Sequence, residues 1–257
     1  MTITSNWQWI ARWIAGVLTA CALWPSIAQA QSDILINFDA ANPPFMFGTV
    51  TRAEGFYPDL IEAIFRQMNR PARLTAKPWK RAIAELDLGT AGVGGIYKTE
   101  ERLKKYVFSE PLFVERIVVY FHRDKAIHFR TLADLNGKRV GVLLGWSYVD
   151  DCDNARKAGR IAVEEVYADS QNFDKLAQGR VDAVLAIEQV GTHLMRAARN
   201  ANIEKSPVFL AANPTHLVFN KNQHAEALLR DFNVALAELK RNGVYTTIVD
   251  KIGAVDK

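Results

Sequence analysis

The residues best suited to chemistry are two arginines and one serine loop. Arg102 lies in the charged run Glu100-Glu101-Arg102-Leu103-Lys104-Lys105, and Arg81 lies in Trp79-Lys80-Arg81. A guanidinium presents a planar fork of donors that matches a carboxylate. Taken alone, Arg102 reads more simply as a solvated arginine on a charged run, and for Arg81 a surface position and an anion contact fit equally well. Gly145-Trp146-Ser147-Tyr148 follows an apolar run. If Ser147 and its neighbouring amides open a helix they form an anion site; otherwise Ser147 is a helix cap among packing aromatics. No Ser-His-Asp order, nucleophile elbow or metal-ligand spacing occurs. His122, His128, His193, His216 and His224 are scattered, and none forms a paired motif. The residue types therefore imply no cofactor and no metal, and an enzyme is not expected.

The elements that must position these residues alternate between short apolar runs and amphipathic segments. Strands are expected at Ile34–Phe38, Leu74–Ala76, Ile117–Phe121, Arg139–Leu144 and Val181–Ala186. Helices are expected at Asp59–Met68, Trp79–Leu88, Gln171–Leu176, Gln189–Asn200 and Ala225–Arg241, the last stopped by Asn242-Gly243. Alternation of this kind predicts an α/β fold with parallel sheets covered by helices on both faces. Arg81–Gly89 before Val93 and Asp174–Gly179 before Val181 repeat a helix–glycine–strand unit, consistent with two similarly wound lobes.

The N-terminus reads as a leader. Arg12 precedes the uncharged run Trp13–Trp24, Pro25 breaks it, and Ala28-Gln29-Ala30 has the small-x-small cleavage pattern. The run is short for a membrane span, which needs about 20 residues. Residues 1–30 are thus expected to be a signal peptide, with Gln31 opening a periplasmic mature chain. Leu18-Thr19-Ala20-Cys21 could instead be a lipobox, but Ala22-Leu23-Trp24 continue the apolar run where a polar tether is usual. Removing the leader leaves Cys152 as the single cysteine, so no internal disulfide can form. Apolar residues at 49% permit a full core, and a formal net charge of +4 without a long basic run argues against nucleic acid.

Six segments, in order, resemble the bacterial extracellular solute-binding proteins of family 3. They are Asp39 with Pro43-Pro44-Phe45, Gly55-Phe56-Tyr57-Pro58-Asp59-Leu60, Thr99-Glu100-Glu101-Arg102, Phe108-Ser109-Glu110-Pro111-Leu112, Leu135–Val142, and Leu176–Leu185. The resemblance implies a type II periplasmic-binding-protein fold: two α/β lobes, two crossover hinge segments and a ligand cleft between the lobes. Lobe 1 would comprise residues 32–121 plus 218–257, and lobe 2 the inserted residues 122–217. It further implies capture of an amino acid or related small organic anion for the membrane permease of an ABC importer, by a monomer. An exported enzyme similar to cyclohexadienyl dehydratase, using the same cleft with Glu188 as acid or base, is the alternative. A stand-alone ligand-sensing domain is another.

By matched position, Arg102 would hold a carboxylate and Trp79 would form an aromatic clamp, with ordinary helix-start packing as the alternative. Asp39, Arg81, Gly95 and Tyr97 would line the cleft from lobe 1, and Trp146 and Ser147 would cap it from lobe 2. Where relatives place an aspartate for the ligand's α-amino group, this chain has Ile187, with Glu188 beside it. Either Glu188 takes over that role, or the ligand carries no α-amino group.

Overall fold

The computed structural model describes residues 34–197 and 202–254. The leader, its cleavage after Ala30, Cys21 and the end of the helix expected to reach Asn200 lie outside the described residues. The described residues form one compact unit.

One half is built on β1 (Ile34–Asp39), which pairs in parallel with β5 (Ala72–Lys77) on one side and β6 (Gly92–Tyr97) on the other. The small hairpin sheet β2 (Ala41–Asn42), β3 (Met46–Gly48) and β4 (Ala53–Glu54) follows β1. The first helix, α1 (Phe56–Gln67), buries Phe56, Tyr57, Leu60, Ile61, Ile64 and Phe65, a stripe at helical spacing. In α2 (Trp79–Asp87) the buried face is Trp79, Ala82 and Leu86, and the helix ends at Gly89, whose φ of 69° a side chain would resist. The chain then enters α3 (Glu100–Lys105) and β7 (Tyr106–Phe108).

The other half holds β9 (Arg139–Leu143), α4 (Asp150–Lys157), β10 (Ala162–Val166), α5 (Asp169–Ala177), β11 (Ala183–Ile187) and α6 (Glu188–Ala197). Its strands run parallel in the order β10-β9-β11. Two long strands belong to both halves: β8 (Phe113–His122) and β12 (Ile203–Asn220). They pair antiparallel with each other, β8 also pairing with β11 and β12 with β6 and β7. The result is one nine-stranded sheet, β10-β9-β11-β8-β12-β6-β1-β5 with β7 beside β12. The wings are parallel, as expected; the antiparallel centre was not. The expected lobe divisions, after 121 and before 218, fall inside β8 and β12.

The chain closes with α7 (Gln223–Arg241) and α8 (Val244–Ala254). Asn222 caps α7, its Oδ1 accepting from Ala225 N at 2.8 Å. Phe232 of α7 meets Phe65 of α1, ring centroids 5.7 Å apart, so α7 packs on the first half.

Candidate functional site

Arg102 is positioned by the turn that leaves β6. Thr99 caps α3 by accepting from Arg102 N at 3.2 Å, which starts the helix directly after Tyr97. The Arg102 side chain folds back, and its guanidinium donates to the Tyr97 carbonyl at 3.0 Å. Half-buried there, it is drawn below its ordinary pKa by desolvation, against the opposing pull of Tyr106, Asp153 and Glu101. An arginine stays charged through such a change. It borders a cavity of about 470 Å³ whose facing wall comes from the other half: Gly145, Trp146, Ser147, Asp153 and Arg156.

Ser147 does not open a helix. The residue capping α4 is Val149, and the Ser147 hydroxyl instead donates to the Asp153 carboxylate one turn into α4. Burial raises the Asp153 pKa, while Ser147, Arg156 and Arg102 act to lower it. Tyr148 turns inward, accepting from Leu143 N at 2.8 Å, and its carbonyl accepts from Asn213 on β12. The loop is thereby fixed to both its own strand and the shared sheet.

Trp79 and Trp146 meet with ring centroids 5.6 Å apart at 44°. Trp79 Nε1 donates to the Gly145 carbonyl at 3.2 Å, and Trp146 Nε1 donates to Asp39 Oδ2 at 2.8 Å. Asp39, at the end of β1, is buried; desolvation raises its pKa, and the bonds from Trp146 and from Ala41 N (3.0 Å) lower it. A second cavity of about 400 Å³ lies here, walled by Asp39, Trp79, Leu143, Leu144, Trp146 and Tyr167, with Lys80 and Arg81 also lining it. Arg81 is largely exposed and pairs with Glu85 at 3.4 Å.

Tyr97 stands edge-on to Trp146, centroids 6.4 Å apart, and turns its hydroxyl to Glu115. Tyr57 donates to the other Glu115 oxygen at 2.5 Å. Buried beneath both phenols, Glu115 is pushed up to about 7 by desolvation, which the two hydrogen bonds only partly offset. Gly95 serves this packing: at φ 76° a Cβ would lie 2.8 Å from the Tyr57 ring.

The structure thus brings Asp39, Trp79, Tyr97, Arg102, Trp146 and Ser147 together, with Arg81 at the edge. Glu188 stands apart. It borders neither cavity and pairs with Arg116 at 2.9 Å and Lys205 at 2.8 Å. Ile187 is 2% exposed and sits opposite Ile117 in the ladder. Sequence reasoning missed Asp153 and Glu115. Alternation was the available signal for Glu115, since Phe113, Glu115 and Ile117 share one face of a strand while Val114 and Arg116 face out.

Two α/β wings on a shared sheet, with a charged and an aromatic cleft between them, define a two-lobed solute-binding protein of the type II periplasmic kind. The family of bacterial extracellular solute-binding proteins, family 3, matches residues 34–254, and the chain belongs to it. It is 25% identical to the L-cystine-binding protein TcyJ of Escherichia coli (strain K12), over 87% of this chain and 83% of that one. It is 29% identical to the arginine-binding periplasmic protein of Mannheimia haemolytica, over 89% of this chain and 94% of that one. Among solved structures, an ancestral arginine-binding protein bound to arginine superposes with a TM-score of 0.73 at 28% identity, covering 85% of this chain and 97% of that one.

Proposed function

We propose that this chain is exported to the periplasm, loses residues 1–30, and as a monomer captures an amino acid or related small organic anion for the permease of an ABC importer. The observation that carries the reading is Arg102: a half-buried guanidinium anchored on the Tyr97 carbonyl, open to a cavity walled from the opposite side by Ser147 and Asp153. A carboxylate entering this space meets a fork of donors in a partly desolvated setting, where a charge-assisted bond is strong. In the same cavity Trp146 supplies apolar surface for the ligand's stem and Ser147 a polar contact, while Trp79, Tyr97 and Asp39 surround the Trp146 indole. The related proteins described above support an amino acid over other anions, and their naming as binding proteins supports capture over catalysis. Lobe 1 is taken as residues 32–121 plus 218–257 and lobe 2 as residues 122–217, with β8 and β12 as the hinge.

Calorimetric titration with L-cystine, L-arginine, L-glutamine and their des-amino analogues tests the reading. Saturable one-to-one binding of at least one member is expected. A folded protein that binds none of them, and whose melting temperature none of them raises, rejects it.

A further inference from the structure

One residue is common to the linings of the two cavities. Trp146 lines both, and at 6% exposed it is nearly enclosed. Its indole makes the contacts that a flat aromatic guest in this clamp would make: a ring contact with Trp79, an edge contact with Tyr97, and an N–H donated to Asp39. The Trp79 indole answers in the opposite direction, donating to the carbonyl of Gly145 next to Trp146. Two indole hydrogen bonds therefore cross between the halves of the molecule, one each way. The acceptor Asp39 is buried, so losing the Trp146 N–H leaves a carboxylate short of donors in an apolar setting. The loop is shaped for this placement: Gly145 takes φ 76°, and a Cβ there would come within 3.0 Å of Lys80.

We propose that Trp146 is an internal occupant of the aromatic clamp, a latch that joins the two halves and confines the ligand to the compartment bordered by Arg102 and Asp153. The inference rests on the cleft being the ligand site proposed above. It adds a determinant of ligand size: an apolar tail long enough to reach Leu143 and Leu144 must displace the indole.

The latch can be tested without any transported ligand. Beyond residue 30 the tryptophans are Trp79 and Trp146, so Trp146→Ala leaves Trp79 as the one reporter in the processed protein. In Trp146→Ala purified from the periplasm, Trp79 emission should shift to the red, acrylamide quenching should rise, and small-angle scattering should give a larger radius of gyration. Free indole at millimolar concentration should return that radius to the wild-type value and leave wild type unaffected. A folded Trp146→Ala with protected Trp79 emission and an unchanged radius overturns the latch. So does an expanded variant that indole fails to close. If Trp146→Ala does not fold, Trp146→Phe, which keeps a ring and loses the N–H, should show the same changes at smaller amplitude, and behaviour identical to wild type overturns the proposal. A ligand panel in which nothing binds would reject the transport reading and leave these results standing.

Discussion

Tyr57 on α1 donates its phenol hydrogen to Glu115 on the shared strand β8 at 2.5 Å, joining the first helix to the strand that runs between the halves. Tyr97 satisfies the other carboxylate oxygen. Desolvation outweighs both bonds and lifts Glu115 from 4.5 to about 7. A carboxyl whose folded pKa is raised favours folding in its neutral form. Its contribution is complete below pH 4.5 and is lost as pH rises through about 7. Ionising it in the folded chain costs about 3 kcal/mol more than in the unfolded chain. Glu115→Gln cannot ionise, so relative to wild type it should gain stability progressively from about pH 4.5 to about 7 and level off above that. Urea denaturation of both proteins at several pH values measures this; parallel curves would contradict it. Asp169, also raised to about 7 by burial, titrates in both proteins and cancels in the difference.

Arg102→Ala should weaken binding of whichever carboxylate ligand the panel identifies by about 2–5 kcal/mol, the range for removing one partner of a desolvated charge pair. Arg102→Lys should recover only part of the loss, because an ammonium cannot donate as a planar fork. Calorimetry on folded variants decides it, and unchanged affinity in Arg102→Ala would remove this residue from the site.

Much of this architecture was legible because its causes are local. The buried stripe of α1 repeats at three and four residues, and Leu228, Leu229, Phe232, Leu236 and Leu239 do the same in α7. The shared strand β12 was not legible. Pro207 and Pro214 interrupt its pattern, and its register shifts between Lys205 and Phe209 and again before Ala211. The site divides along the same line. Arg102, Trp79 and Ser147 come from motifs, whereas the bond from Trp146 to Asp39 joins residues 107 apart and is set by the packing of the two halves. Asp153 was hidden in an acidic helix start, Asp150-Asp151-Cys152-Asp153, where each acid equally suits the helix dipole.

The exported form should begin at Gln31 and carry no lipid. Intact mass spectrometry of the protein from its native host is the measurement, and an acylated Cys21 at the N-terminus would be the contrary result.

Gly191→Ala should destabilise the fold by about 1–3 kcal/mol, as overpacking of a tight core does. A Cβ at this position of α6 would lie 2.2 Å from the Tyr120 ring. That ring is fully buried, is held by its hydroxyl to the Glu188 carbonyl at 3.0 Å, and meets Phe173 at 5.1 Å. It has no free direction in which to withdraw. Thermal unfolding of the variant is the check.

Glu188→Gln should leave ligand affinity within error of wild type. As a candidate for the ligand's ammonium, Glu188 would have to face the cleft with a free carboxylate. Instead its two oxygens take Arg116 at 2.9 Å and Lys205 at 2.8 Å, and it borders neither cavity. Both cations are substantially solvent-exposed, their side chains 56% and 40% accessible, so screening limits the stability cost of the substitution to about 1 kcal/mol or less. Ile187→Asp offers the contrast. It would place a carboxylate against Ile117 in the core, where an unpaired charge is expensive, so it should unfold at a markedly lower temperature. Titration of wild type and Glu188→Gln with one amino acid and its des-amino analogue reads the outcome. A selective loss of amino-acid binding in Glu188→Gln would mean that the carboxylate leaves its two cations to meet the ligand, and would restore Glu188 to the site.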